Sequence, residues 1–109
     1  MKWRIRTVDS EAEKELRKLP SDLKAKFLRV SDLIETFGPI QVGLPHVKFL
    51  EDKLWEIRLK GKTGISRSIF VMLTGKEILI LNTFIKKTQK IPVKELSLAR
   101  KRLKRWNND

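Results

Sequence analysis

Apolar residues recur with two different periods along this chain, and the change of period separates helical from extended segments. Residues 3–8 alternate between apolar and polar side chains, which predicts a strand with one buried face. Two helical patterns follow. The first places Ala12, Leu16 and Leu19 on one face, and the second repeats apolar residues every three or four positions over residues 23–37.

Polar residues predict where these two helices begin. Ser10, with Glu13 three positions later, forms a capping-box pattern for the first helix. Ser21 is a candidate cap for the second, and Asp22 follows it in the first turn, where the helix dipole favours a carboxylate. Gly38-Pro39 is a helix stop. The short connection between the two patterns favours an antiparallel pair of helices.

The second half of the chain has the period of strands. Residues 46–50 are compatible with either a short strand or irregular chain. Residues 54–60 alternate, with Trp55, Ile57 and Leu59 on one side, and two nearly continuous apolar runs follow at residues 66–73 and 77–85. Turn sequences separate these segments, which predicts an antiparallel meander. The continuous runs indicate strands that are covered on both faces.

A last helix is predicted to begin near Pro92, because proline is tolerated in a first helical turn. Its apolar stripe consists of Leu96, Ala99, Leu103 and Trp106. The predicted element order is therefore β-α-α-β-β-β-α. We expect a single α+β domain over residues 1–109, in which an antiparallel sheet packs against the N-terminal helical pair and the C-terminal helix.

The composition narrows the chemistry open to the chain. Its 109 residues are 40% hydrophobic, which is enough for one domain with its own core. The absence of cysteine excludes a disulfide framework, a thiol nucleophile and a cysteine-ligated zinc site. Neither a signal peptide nor a membrane-spanning pattern is present. We therefore expect a cytoplasmic protein with no membrane partner and no cofactor.

The net charge of +12 is unevenly distributed along the chain. Residues 1–50 carry 10 basic and 7 acidic residues, whereas residues 51–109 carry 15 basic and 6 acidic residues. A positive field of this kind attracts nucleic acid, anionic lipid or an acidic protein. A surface that is basic only for solubility does not require the charge to collect in one half, so the pattern favours a polyanionic partner.

Five charged residues could meet at one place in the predicted meander. Glu56 and Arg58 lie on the polar side of one strand, Arg67 is near the start of the next, and Lys86 and Lys87 close the last. Neighbouring strands are about 4.8 Å apart, so such side chains can surround one phosphate. The strand register is not readable from the sequence, and this convergence is a hypothesis.

A cluster of this composition suits metal-independent cleavage of RNA. Arginine stays charged and binds phosphate oxygens in pairs. Lysine can transfer protons only if neighbouring cations lower its pKa from roughly 10.4. Simpler alternatives are open: Glu56 and Arg58 can pair on a solvated sheet face, and Lys86 and Lys87 can act as charged ends that prevent strand pairing. The single histidine, His46, is better explained as a loop-packing or capping residue than as an acid or base.

Four segments together resemble the phage-derived, HigB-like branch of the RelE toxin superfamily. They are residues 46–50 (His-Val-Lys-Phe-Leu), residues 54–58 (Leu-Trp-Glu-Ile-Arg), Arg67 within its strand, and residues 83–92, which read Thr-Phe-Ile-Lys-Lys-Thr-Gln-Lys-Ile-Pro. Ala99 fits the helix that follows in that branch. The similarity extends over most of the chain, from about Trp3 to Trp106.

This resemblance implies a RelE-like fold and the toxin of a type II toxin–antitoxin pair. It implies cleavage of mRNA on the ribosome and a hetero-oligomeric complex with a HigA-like helix-turn-helix antitoxin. By motif position it implies catalytic roles for Arg58, Arg67, Lys86 and Lys87, and contacts with RNA or its phosphates for Lys48, Glu56 and Lys90. Arg100 and Arg102, in the cationic last helix, are further candidates for contacts with RNA or its phosphates. The chain departs from the family at Ser66, where tyrosine is frequent, and it contains no tyrosine.

Two other functions are compatible with the sequence. One is a non-catalytic toxin on the same scaffold that binds another target such as DNA gyrase, as ParE-like relatives do. The other is a basic RNA-binding module without toxicity, whose binding would weaken as salt is added.

Overall fold

A five-stranded sheet forms the centre of the fold in a computed structural model, which describes residues 2–87 and 90–108. The strands lie in the order β1-β5-β4-β3-β2. The elements are β1 (Arg4–Thr7), α1 (Ser10–Arg17), α2 (Ser21–Phe37), α3 (Pro39–Val42), β2 (Val47–Glu51), β3 (Leu54–Gly61), β4 (Gly64–Leu73), β5 (Glu77–Lys86) and α4 (Val93–Asn107). Among the helices of the described residues, none is long and apolar enough to cross a membrane.

The predicted antiparallel meander is present, but the sheet as a whole is mixed. Strands β2 to β5 pair antiparallel in chain order, and the segment at residues 46–50 contributes strand β2. The first strand pairs parallel with the last, with Arg4 beside Glu77 and Thr7 beside Ile80. The prediction of four strands in one antiparallel sheet is therefore corrected to five strands in a mixed sheet. This parallel pairing joins residues more than 70 positions apart, so no local pattern signals it.

Both faces of the central strands are covered, as the continuous apolar runs predict. On one face, residues of α2 such as Leu23 and Ile34 pack against Ile57 and Phe70. On the other face, Ala99 and the rest of the predicted α4 stripe pack against the other side of β3, β4 and β5. Burial of this apolar surface on two sides is the main force that holds the sheet between its helices.

The two helix caps differ from the sequence predictions. The carboxylate of Asp9, and not the hydroxyl of Ser10, caps α1 by accepting a hydrogen bond of 2.8 Å from the backbone N–H of Ala12. Helix α2 follows Pro20 and has no side-chain cap, so Ser21 is its first residue instead of its cap. Proline already fixes a backbone angle suited to the residue before a helix, which makes a polar cap less necessary.

Asp22, in the first turn of α2, binds the turn that joins β3 to β4. Its carboxylate accepts 2.6 Å and 3.0 Å hydrogen bonds from the hydroxyl and the backbone N–H of Thr63. A Cβ atom at Gly61 would lie 2.4 Å from Oδ2 of Asp22, so glycine is needed for this approach. The contact fixes the end of the hairpin that carries Arg58 and Arg67.

We expect replacement of Thr63 by valine to raise the pKa of Asp22 toward its ordinary value. The side-chain hydrogen bond from Thr63 is the main cause of the lowered pKa of Asp22, and the backbone hydrogen bond is the next. Because the folded-state pKa is lowered, the stabilisation from this contact is present above the unfolded pKa of roughly 3.9 and is lost as the pH falls through the folded value. Titration of the Asp22 carboxyl by NMR measures the change. Thr36→Val on the same helix is the matched control, and an unchanged Asp22 pKa in the Thr63 variant contradicts the assignment.

A partly buried ion pair closes the edge of β5 beyond the end of β1. The guanidinium of Arg102 donates to both carboxylate oxygens of Glu15, at 3.0 Å and 2.9 Å, and to the carbonyl oxygen of Leu81 at 2.8 Å. The same carboxylate of Glu15 accepts a 3.0 Å hydrogen bond from the backbone N–H of Thr83. Two side chains thus satisfy backbone groups that a neighbouring strand would otherwise pair. Arg102 therefore has a structural role in the fold, and its contact with RNA stays an untested prediction.

Candidate nucleic-acid interface

The strand register places the charged residues on the same sheet face as α4. Arg58 lies directly opposite Arg67, Lys48 lies opposite Glu56, and Lys86 lies opposite Ile65. Helix α4 packs on this face around Ile69, Val71 and Leu81. Beside this part of the face lie five charged residues: Lys48, Glu56, Arg58, Arg67 and Lys86. A polar patch is therefore formed on an otherwise apolar face.

Glu56 is the centre of this patch. Its Oε1 lies 2.7 Å from Nε of Arg67 and 3.8 Å from Nε of Arg58. The side chains of Glu56 and Arg67 are each only 5% exposed, whereas that of Arg58 is 35% exposed. A buried carboxylate beside two arginines offsets part of the cost of bringing their positive charges together.

The patch opens into a cavity of about 370 Å³, here called the polar cavity. Its polar lining combines five cations and two carboxylates, and its apolar lining comes from β2, the segment before α4 and α4 itself. The lining residues are Lys48, Leu50, Glu51, Glu56, Arg58, Arg67, Lys86, Lys90, Ile91 and Leu96. An anion that enters this cavity meets positive charge from four strands, β2 to β5, and from the segment that follows β5.

The pKa of Lys86 is lowered from its ordinary value. Partial burial is the largest cause, and the positive charge of Arg67 is the next. The carboxylate of Glu56 opposes the effect, while Arg58 and Lys48 add to it. A smaller free energy is therefore needed to remove a proton from this ammonium group than from a lysine in water.

The pKa of Arg67 is also lowered, chiefly by burial; Glu56 opposes this effect and Arg58 contributes to it. The reference pKa of arginine is so high that the group remains charged at neutral pH. Arg67 is thus a permanent cation in a site that largely excludes water.

The remaining predicted residues lie outside this cluster or beside it. Lys87 follows the end of β5, is exposed and does not line the polar cavity. Lys90 lines the cavity, but the two residues before it, Thr88 and Gln89, lie outside the described residues. The structure thus brings together Lys48, Glu56, Arg58, Arg67, Lys86 and Lys90, and their roles remain predictions.

Arg100 is engaged on the surface instead of in the cavity. Its guanidinium donates hydrogen bonds to Glu51 and Asp52, at 3.1 Å in the case of Asp52, and so ties α4 to the turn between β2 and β3. These hydrogen bonds, with Asp52 the larger cause, raise the pKa of Arg100. Two acidic residues thus pair with the guanidinium of Arg100, whose side chain is 42% exposed, and its contact with RNA stays a prediction.

A second cavity, of about 400 Å³, adjoins the cluster and was not predicted from the sequence. It is here called the α2 cavity. Lys26 and Arg29 of α2 contribute to its lining, as do His46 and both arginines of the patch. In the sequence, Lys26 and Arg29 have the spacing of an ordinary solvated helix face, so the pattern did not indicate that they line a cavity. The irregular segment around Pro45 was only a weak indication that a cavity is present there.

Within residues 2–87 and 90–108, no group of three or more potential metal-ligating side chains lies together. The polar cavity contains two carboxylates, Glu51 and Glu56, and the first of these accepts a hydrogen bond from Arg100. Its donor set is therefore dominated by cations, which suits an anion better than a divalent metal.

Comparisons with known proteins agree with this architecture. A chain of the archaeal RelE–RelB complex from Pyrococcus horikoshii OT3 is 27% identical and aligns over 78% of this chain and 96% of its own, with a TM-score of 0.60. A mutant of the E. coli toxin RelE in the free state is 18% identical and aligns over 94% of this chain and 99% of its own, with a TM-score of 0.61. The expected α+β, RelE-like fold is thereby confirmed. No curated protein sequence matches significantly.

A family model described as phage-derived protein Gp49-like matches residues 14–104. That range contains every residue of the charged cluster. Since the match extends over far more than half of the sequence, the chain belongs to the phage-derived Gp49-like protein family.

Proposed function

We propose that this protein is the toxin of a type II toxin–antitoxin pair, in the HigB-like branch, and that it cleaves mRNA on the ribosome. The observation that carries the proposal is the cluster of Arg58, Arg67, Lys48 and Lys86 around the buried Glu56, at the open end of a RelE-like sheet. The fold alone is compatible with many activities. The cluster supplies what phosphodiester chemistry requires.

The scissile phosphate would bind between the two arginines. Arg67 is buried and fixed by Glu56, whereas Arg58 is partly exposed and can reach a ligand. Two cations that are already in position stabilise the extra negative charge of the transition state without reorganisation of water. Lys48 would contact the same phosphate or the next one from strand β2.

The reaction is an attack by the ribose on its own phosphate. The 2′-hydroxyl loses its proton, a bond forms between the 2′-oxygen and phosphorus, and the bond from phosphorus to the 5′-oxygen breaks. The 5′-oxygen then takes up a proton, which leaves a 2′,3′-cyclic phosphate and a 5′-hydroxyl end. No metal ion is needed for this sequence of steps, and the cationic donor set supports a metal-independent route.

Lys86 is the group proposed to transfer protons. Its pKa is lowered by burial and by the neighbouring cations, which increases both its neutral fraction and the acidity of its protonated form. Lys87, which also carried this prediction, is exposed and outside the polar cavity. The two adjacent lysines are therefore expected to differ in function.

Replacing Lys86 by arginine is expected to lower the cleavage rate by about 100-fold, because arginine keeps the positive charge but does not release a proton at neutral pH. The rate is measured by primer extension on a defined message with ribosomes. Lys87→Arg is the matched control and should cleave at the wild-type rate. Full activity of the Lys86→Arg variant would show that Lys86 only binds phosphate.

The proposed partner is a HigA-like helix-turn-helix antitoxin in a hetero-oligomeric complex. The support is that one structural relative is a chain of a RelE–RelB complex. A neighbouring reading frame for a short helix-turn-helix protein, which co-purifies with this chain, is the expected finding.

Primer extension on a defined message, with and without ribosomes, tests the activity itself. We expect cuts at specific positions only when ribosomes are present. Cuts without ribosomes would contradict ribosome dependence. Growth arrest without any cut would favour the non-catalytic toxin, and salt-sensitive RNA binding without cuts or toxicity would favour the simple RNA-binding module.

A further inference from the structure

The α2 cavity and the polar cavity share one boundary. Arg58 and Arg67 line both of them. A phosphate bound to these arginines therefore has the polar cavity on one side and the α2 cavity on the other. A group attached to that phosphate can therefore extend into either of them.

The walls of the two cavities differ in chemistry. Lysine and carboxylate groups dominate the polar cavity. The α2 cavity instead has walls of Leu33, Leu59, Ile65 and Pro45, and the polar groups of Lys26, Arg29, His46 and Lys60 lie among these apolar side chains. A volume of about 400 Å³ is within the range of small-molecule sites, which extend from roughly 300 to 1,000 Å³.

We propose that the α2 cavity holds the nucleobase attached to the phosphate that Arg58 and Arg67 bind. A nucleobase is a flat, largely apolar group joined through ribose to a phosphate, so it matches an apolar cavity with arginines at one end. This inference rests on the proposed function, because it assigns the arginines to an RNA phosphate.

The composition of the chain adds a second reason. Base stacking on aromatic side chains is the usual way to hold an unpaired nucleotide. The chain contains no tyrosine, and neither cavity is lined by phenylalanine or tryptophan; the one ring in either lining is the imidazole of His46 in the α2 cavity. A base beside the arginines would therefore pack on aliphatic side chains and on this imidazole, and both are found in the α2 cavity.

Titration with mononucleotides tests the inference without ribosomes or cleavage. The probes are nucleoside 3′- and 5′-monophosphates, with ribose 5-phosphate as the ligand that lacks a base. We expect one class of nucleotide to bind about tenfold more tightly than ribose 5-phosphate, equivalent to ~1.4 kcal/mol. NMR signals of the Leu33 and Ile65 methyl groups should shift with the nucleotide but not with the sugar phosphate. The tighter class shows which side of the phosphate the base occupies.

Leu33→Asp is the variant that tests the location. Leu33 is partly exposed on α2, so the helix can accept a polar residue there, and a carboxylate at this wall should remove the tenfold preference. Leu28→Asp makes the same change at an exposed position of α2 that does not line the cavity, and it should keep the preference.

Two results would overturn the inference. Equal affinity of wild-type protein for nucleotides and ribose 5-phosphate is one, and this includes no detectable binding of either at millimolar concentration. The other is a nucleotide preference with unmoved Leu33 and Ile65 methyl signals. Because ribosome-dependent cleavage is scored separately by primer extension, either result can occur while the proposed function stands.

Discussion

Replacing Arg67 by lysine is expected to lower the rate of ribosome-dependent mRNA cleavage on the order of a thousandfold, with the protein still folded. Lysine keeps the charge beside Glu56, which lies 2.7 Å from the guanidinium in the native protein. It loses the planar fork that binds two phosphate oxygens at once. Loss of one preorganised charge-stabilising donor typically lowers a rate by roughly 100- to 1,000-fold. Primer extension over time gives the rate, and circular dichroism confirms folding.

Arg105→Lys provides the matched control, because Arg105 is an exposed arginine of α4 and its loss should leave cleavage unchanged. A wild-type cleavage rate in the Arg67→Lys variant would show that the guanidinium of Arg67 is not needed for catalysis. Reversing the charge with Arg67→Glu is a less informative change. It would place two carboxylates together in a buried site, so inactivity could come from unfolding alone.

Replacing Arg102 by methionine is expected to lower the free energy of unfolding by about 2 kcal/mol, which is less than for a fully buried ion pair because Glu15 is 28% exposed. The side chain is 9% exposed and donates to Glu15 and to the carbonyl oxygen of Leu81. Methionine fills a similar volume but leaves a carboxylate and a carbonyl without their donor. Urea unfolding followed by tryptophan fluorescence measures the loss.

Arg100→Met is the control for this change. Arg100, which is also on α4, pairs with the carboxylates of Glu51 and Asp52 at the surface, where an ion pair contributes about 1 kcal/mol or less. Adding Glu15→Gln to Arg102→Met should recover part of the stability, because the amide oxygen can still accept from Thr83 without a buried charge. Equal losses for Arg100→Met and Arg102→Met would contradict a structural role for Arg102.

The parts of the fold that depend on local period were predictable from the sequence. The alternation at residues 54–60 and the apolar runs at residues 66–73 and 77–85 correspond to β3, β4 and β5. The three- and four-residue spacing in α2 and α4 places Leu23, Ile34 and Ala99 in the core. In these segments the burial of a regular face determines both the pattern and the structure.

Features set by distant contacts could not be predicted in this way. The parallel pairing of β1 with β5 depends on which edge of the sheet is left after the meander forms. The hydrogen bonds of Asp22 depend on Thr63, which is 41 positions away. The capping error at Ser10 has a local cause: Asp9 and Ser10 are both good caps, and the sequence alone does not decide between neighbours.

The candidate site was predictable in composition but not in arrangement. Arg58, Arg67 and Lys86 were predicted as site residues because they lie at strand ends or at polar positions of strands. The register that places Arg58 opposite Arg67 became known only from the structure. The sequence did indicate that Arg102 is buried. It is three positions after Ala99 and four before Trp106, which puts it beside the buried stripe of α4.

The Glu15–Arg102 pair has a consequence for the behaviour of the protein in concentrated solution. Strand β1 pairs with β5 only as far as Ile80, and the exposed backbone of a sheet edge is a template on which another chain can add a strand. The two side chains occupy the carbonyl of Leu81 and the N–H of Thr83, so this length of β5 is closed to such addition. Substitutions that break the pair should therefore cause aggregation at high concentration as well as lower stability.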